Sequence, residues 1–314
     1  MADNAVARET FLSLRDTIAR IEGKSLARLE TPSERQLREP RRAVAFHGLP
    51  VLPSGVAALD AVLDGGLPLG GMTEMRNGET RNAGALAGFA LALASLCQAA
   101  LQAGGAMAPL LWIGEAQAQS EAGQPYAPGL KTYGVDLSGF LLASPRKIAD
   151  ALWMAEAALS TPGFAAVVLE IRGNPNGFGL RESRRLHLRA RDTGVPLLLL
   201  RHAGEEESSS ALFRLHVEAA PAMARLLPDG SRLRGSLGNP VFHVTAEKSR
   251  AFAAAGMLIE WNAHDHRFYA VDAAAAAIYP QQRPALPVAQ LSASAGRPSG
   301  EDPLGRIVAF SRAS

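Results

Sequence analysis

The chain has 314 residues, 47% of them hydrophobic and 20% charged, with a formal net charge of +2 and a pI near 8.9. That composition excludes a disordered polar chain and is enough for one sizeable core, so a single domain with tails is expected. The charge is too mild to argue nucleic-acid binding without a clustered patch. No apolar run approaches the ~18 residues that span a bilayer, and the first residues lack an apolar signal core, so a cytoplasmic protein is expected. The lone cysteine, Cys97, can form no internal disulfide and falls in a predicted helix, where a buried core thiol is expected.

In chain order, Val6, Phe11, Leu14, Ile18, Ile21 and Leu26 recur at mostly helical spacing, which predicts an amphipathic helix ending near Gly23. Residues 31–42 are polar, carry two prolines and read as a linker. The core is expected from Phe46, after an N-terminal region of residues 1–45, and to run to residue 278. Pro53-Ser54-Gly55 is a turn, followed by a short helix with Val56, Leu59 and Leu63 on one face. Met72 to Met75 reads as a strand, Arg76 to Gly84 as a glycine-bearing loop, and Ala85 to Ala103 as a helix of small residues suited to close packing on a sheet. This is the order in which a nucleotide-binding α/β domain presents its phosphate loop.

Downstream, Pro109 to Gly114 and Ala165 to Ile171 are continuous apolar runs, the form of strands buried on both faces, and Val195 to Arg201 is a third. Between them lie a polar Gly/Pro segment, Glu115 to Gly129, a helix from Arg146 to Leu159, and a basic helix from Leu180 to Thr193. Strands alternating with helices predict a mainly parallel sheet flanked by helices. Beyond Ser210 the pattern shifts to period-two strands at Leu212 to Ala219, Val241 to Lys248, Met257 to Trp261 and Phe268 to Val271, the last two joined by the hairpin loop Asn262 to His266. Residues 279–314 are rich in Pro, Ala and Ser and are expected to be disordered.

The loop has the architecture of a phosphate site without its chemistry. A working loop, G-x-x-x-x-G-K-[ST], needs a Lys for the terminal phosphates and a hydroxyl for Mg²⁺. With Gly78 as the first glycine, the second falls on Ala83, the Lys on Gly84 and the hydroxyl on Ala85. Arg81 is the local cation, differing from that Lys in position and shape.

The run Leu52 to Thr80, LPSGVAALDAVLDGGLPLGGMTEMRNGET, resembles the lead-in to the phosphate loop of RecA recombinases, and the resemblance continues more weakly to about Asp272. It implies a RecA-like α/β core that finishes in antiparallel strands and has a degenerate loop. Within that superfamily a chain with a lost loop is similar to the ImuA proteins, accessory factors of SOS-induced mutagenic translesion synthesis that are distantly related to the division inhibitor SulA. The resemblance implies a non-catalytic adaptor without a cofactor. Its implied partners are an ImuB-like Y-family polymerase homologue, an error-prone C-family DNA polymerase and RecA itself, with DNA met directly or through them. Two alternatives stay open: a RecA-like DNA-dependent ATPase using Arg81 and Glu170, and a SulA-like binder of the tubulin-like division protein. The leading helix packs either on a neighbouring protomer, as in RecA-like proteins, or on its own domain.

The resemblance places Glu170 at the Walker B position, where a strand-end acid without its hydroxyl partner is expected to be satisfied locally. It places Glu115 one residue off the water-activating carboxylate, and a surface loop glutamate is expected. Arg181, Arg184, Arg185, Arg189 and Arg191 make the helix after Gly179 basic, with Arg181, Arg185 and Arg189 at i, i+4, i+8 on one face. That face suits phosphates or an acidic partner, or is simply solvated, and Phe178 is the one aromatic accompanying it. The loop Glu205-Glu206-Glu207 would repel a phosphate backbone where RecA has a DNA-binding loop. His264 and His266 flank Asp265 in a hairpin turn rather than a metal site. No catalytic constellation is defensible. In the tail, Ile307, Val308 and Phe310 cluster beside Arg306 and Arg312, the form of a segment that docks in a partner's groove or folds back on its own domain.

Overall fold

The first described elements are a short antiparallel strand pair that braces the lead-in. In a computed structural model, which describes residues 48–223, 229, 231, 238–249 and 256–272, β1 (Val51–Leu52) pairs antiparallel with β2 (Leu67–Pro68). Between them runs α1 (Ala57–Val62), which buries Leu59 and Val62 while Val56 and Leu63 close its ends. The Ser54 N–H donates to Asp60 Oδ1 at 2.7 Å, and Ser54 Oγ accepts from the Val56 N–H at 3.2 Å, so the turn and the helix hold each other. Gly66, at φ +142°, needs to be glycine, because a Cβ there would run into the Leu52 carbonyl.

Next come β3 (Met72–Arg76), a 3₁₀ turn (Thr80–Asn82) and α2 (Ala83–Ala103). They are followed by β4 (Leu110–Gly114), α3 (Ala116–Ala122), α4 (Ala127–Thr132), β5 (Phe140–Ala143) and α5 (Ile148–Leu159). The chain continues through β6 (Ala166–Arg172), α6 (Leu180–Thr193), β7 (Leu197–His202) and β8 (Phe213–Ala220). It closes on β9 (Val241–Lys248), β10 (Met257–Asn262) and β11 (Arg267–Val271). Nine strands form one sheet in the order β11-β10-β9-β8-β3-β7-β6-β4-β5. From β5 through β3 to β8 every pairing is parallel, and from β8 to β11 every pairing is antiparallel. The strand that leads into the loop therefore sits inside the sheet between β7 and β8. This is the α/β architecture expected, a mainly parallel sheet flanked by helices that finishes antiparallel.

Strand alternation sorts the core into two layers. One face packs under α2, where Leu86, Phe89, Ala90, Leu93 and Cys97 meet Trp112, Val168, Leu198, Leu200 and Leu215. Gly88 lets that helix approach Tyr133, whose hydroxyl occupies the place of a Cβ. The other face packs under α5 and α6, joining Met72, Ile113, Val167, Leu169, Leu197 and Leu199 to Leu152, Leu159 and Leu186. Each fully buried Leu, Ile or Val contributes roughly 1.5–3 kcal/mol.

Three features depart from the sequence-based expectations or lie outside them. The segment Glu115 to Gly129 carries two short helices, α3 and the start of α4, the latter with Pro128 in its first turn where a missing N–H costs nothing. The strand β5 lies in a stretch that carried no expectation, its four residues too few to show a period. The stretch Thr80–Ala103 is long and apolar enough to span a bilayer, contrary to the sequence reading, but 61% of its most apolar window is buried inside the domain. The N-terminal helix, the linker at 31–42 and the tail with Ile307, Val308 and Phe310 lie outside the described residues.

Candidate functional site: a degenerate phosphate loop

The loop is held by its own side chains. Asn77, fully buried after β3, donates its N–H to the Arg201 carbonyl at 3.2 Å, and its Oδ1 accepts from the Ala203 N–H at 2.9 Å. Asn82, at the end of the 3₁₀ turn, accepts from the Ala219 N–H on β8 at 3.2 Å. Neither Gly78 nor Gly84 has a positive φ. A Cβ on Gly78 would rest 3.9 Å from His216 Nε2, and one on Gly84 would meet nothing within 4 Å. The glycines thus supply no conformation that another residue could not adopt.

Gly84 and Ala85 fall in the first turn of α2, the positions of the Lys and hydroxyl of a working loop, and neither can neutralise a phosphate or ligate Mg²⁺. Arg81 makes an exposed ion pair with Glu79 at 2.5 Å. The Thr80 hydroxyl donates to Glu121 on α3 at 3.3 Å, and Glu121 also pairs with Arg172 at the end of β6. Arg172 holds the Glu121 carboxyl below its ordinary range. The loop's one hydroxyl is therefore bridged to a neighbouring helix.

Glu170 lies within β6 rather than at its end, and both its oxygens are engaged. Oε1 meets His202 Nε2 on β7 at 2.6 Å, and Oε2 accepts from Trp112 Nε1 on β4 at 2.8 Å. All three side chains are essentially fully buried. The acid is satisfied locally, as expected, and its partners come from two strands whose adjacency the sequence does not show.

Glu115 departs from expectation. It is buried, caps α3 by accepting from the Ala118 N–H at 3.3 Å, and donates its own N–H to the Glu170 carbonyl at 2.9 Å. Because β4 runs directly into α3, an acid there meets the unsatisfied N–H groups of a helix start instead of solvent. The His264 to His266 turn is organised by Asn262, whose Oδ1 accepts from the His264 and Asp265 N–H groups at 2.8 and 3.2 Å. Among the described residues no three His, Cys, Asp or Glu side chains converge on a metal-sized site.

The opposite face of the sheet holds an ionic cluster that the sequence reading missed. Glu74 on β3 is met by Arg201 Nε at 3.2 Å and Arg214 Nη2 at 3.3 Å, all three being buried. The Arg201 contact is close enough for attraction but not aligned as a hydrogen bond. Arg201 also reaches Glu207 at 3.1 Å and lies 4.8 Å over the Phe178 ring. Ser209 Oγ donates to Glu74 and accepts from Arg214 Nη2 at 3.0 Å, and Lys248 Nζ donates to the Ser209 and Ala211 carbonyls at 3.1 and 2.6 Å. The acidic loop after β7 is thus tied down: Glu207 by Arg201 and by Asn174 Nδ2 at 3.0 Å, and Glu206 near Arg214 at 3.6 Å. Charges inside otherwise apolar strands were the available signal.

Arg181, Arg184, Arg185 and Arg189 are all exposed on α6. Arg185 is tied to Glu156 on α5, so the i, i+4, i+8 row is not wholly free. Phe178 does not accompany the row, since it is buried beneath Arg201.

No family profile and no curated protein matches this sequence. Among solved structures, the crystal structure of the RadB recombinase is similar over 71% of this chain and 100% of that one, at 15% identity and a TM-score of 0.46. A likeness at that level assigns neither ligand nor activity.

Proposed function

We propose that this chain is a non-catalytic, RecA-like accessory protein of error-prone translesion DNA synthesis, of the ImuA kind. It would act in the cytoplasm by binding an ImuB-like Y-family polymerase homologue and an error-prone C-family polymerase, with RecA as a further partner. The observation that carries the reading is the loop: Gly84 and Ala85 stand where Lys and a hydroxyl would, Thr80 is bonded to Glu121, and Glu170 is consumed by His202 and Trp112. Phosphoryl transfer depends on positioned charge and metal ligation, and this loop presents neither. The translesion assignment rests on the resemblance of Leu52 to Thr80 to the RecA lead-in, combined with that loss.

The purified protein is expected to release no phosphate from ATP above background, with or without single-stranded DNA. DNA-stimulated turnover that vanishes in Glu170→Gln would overturn the non-catalytic reading. Affinity capture from DNA-damaged cells is expected to recover the two polymerases. Recovery of the tubulin-like division protein in their place would assign the SulA-like role.

A further inference from the structure

The base of the parallel sheet, the end away from the phosphate loop, carries an apolar cavity of about 470 Å³. It opens where β3, β6 and β7 begin and where α2 and α6 end. Leu69, Leu101, Phe164 and Val195 form its walls, the first three only half-buried, and the buried Cys97 lies at its floor. Apolar surface gains free energy when it leaves water, so a concavity of this size and lining favours an apolar occupant.

Where the chain enters identifies that occupant. Leu49 and Pro50, at the start of the described residues, are themselves part of the cavity wall. Three residues span at most about 10 Å, so Phe46 lies within that distance of Leu49 whatever course the chain takes. Phe46 closes the uncharged run Ala43-Val44-Ala45-Phe46, whereas Leu29 and Leu37 upstream each stand between polar neighbours. Charge points the same way, because Arg41-Arg42 precedes the run. The rim holds one cation, Arg191, against the exposed Asp192 and the carbonyl ends of two helices, and α2 has no basic residue in its last turn to meet the negative end of its dipole.

We propose that residues 43–46 of the same chain seat in this cavity, with Val44 and Phe46 on its apolar wall and Arg41 and Arg42 at the rim beside Asp192 and the end of α2. Residues two apart in an extended segment share a face, so Val44 and Phe46 enter together. The seat fixes the N-terminal region to the base of the sheet, opposite the phosphate loop, and so sets the end of the domain from which that region reaches any partner. It does not depend on the accessory role proposed above.

Cys97 is the only cysteine of the chain, so a thiol reagent reports on the cavity floor. In the full-length protein labelling is expected to be slow. Phe46→Ala should speed it about 10- to 100-fold while the cooperative unfolding transition is kept, and Phe46→Leu should retain most of the protection. Leu26→Ala, further up the chain, should label at the wild-type rate. Separately, Val44→Cys, Ala45→Cys and Phe46→Cys are oxidised mildly, and at least one is expected to close a disulfide onto Cys97 within a single chain, which requires Cα atoms within about 7 Å. Faster labelling in Phe46→Ala, or an intrachain bridge, supports the seat. An unchanged rate with no bridge at any of the three positions overturns it and leaves the cavity to a separate protein. Equal acceleration by Leu26→Ala overturns it in favour of the leading helix, and bridges that join two chains at low protein concentration overturn it in favour of a second copy.

Discussion

Cys97 shows how far a single side chain is governed by its surroundings. It faces the sheet from α2 and is fully buried, and burial pushes its thiol from 9.0 up to about 12. A raised folded pKa means the unfolded chain gives up the proton first. The stabilisation is complete below pH 9.0 and is lost as pH rises towards about 12. The native protein should therefore resist an alkylating reagent at mildly alkaline pH and react fully once unfolded in denaturant. Its unfolding midpoint should fall at alkaline pH, and Cys97→Ala should remove that part of the fall. Rapid native-state labelling would show that the thiol is not held as described. A helical residue among Ala and Leu was legible as buried; the size of the shift was not, because desolvation depends on what packs above.

At the scale of the element, the loop-to-helix junction is the most informative. A glycine that cradles phosphate with its backbone cannot be replaced, whereas Gly84 meets nothing within 4 Å of its Cβ direction and lies in an ordinary helical turn. Gly84→Ala is expected to raise stability by about 0.4–1 kcal/mol through the unfolded chain's lost freedom. Gly66→Ala, at φ +142° against the Leu52 carbonyl, is expected to destabilise by more than that. Urea unfolding of the two variants checks both signs, and a destabilised Gly84→Ala would mean that the loop retains a geometry only glycine permits. Elements with a clear period or a long apolar run, such as α2, α6 and β6, were readable. Helices α3 and α4 were not, because six or seven residues cover barely two turns and Gly123, Pro125 and Pro128 mask them as loop.

Across the whole molecule, the non-sequential strand order decides which residues meet. Trp112, Glu170 and His202 are spread over 91 positions, yet the order β7-β6-β4 sets them side by side beneath α2. If the triad is structural, His202→Ala leaves Glu170 Oε1 buried without its hydrogen-bond partner and should cost about 1–3 kcal/mol in denaturant unfolding. A variant that melts like the wild type would return Glu170 to the pool of candidate reactive acids. The same strand order carries Arg201 and Arg214 to Glu74, which explains charges inside apolar strands that have no rationale along the chain.

The sequence by itself determined the alternation of helix and strand, the antiparallel finish and the missing Lys and hydroxyl of the loop, because each follows from local periodicity or from residue identity at a known spacing. Only the tertiary structure decided that Glu115 is a helix cap, that Glu170 is spent on His202 and Trp112, and that Phe178 is buried under Arg201. Those outcomes depend on which strands are neighbours and which helix flank is covered, and loop closure brings such pairs together with no trace in local composition.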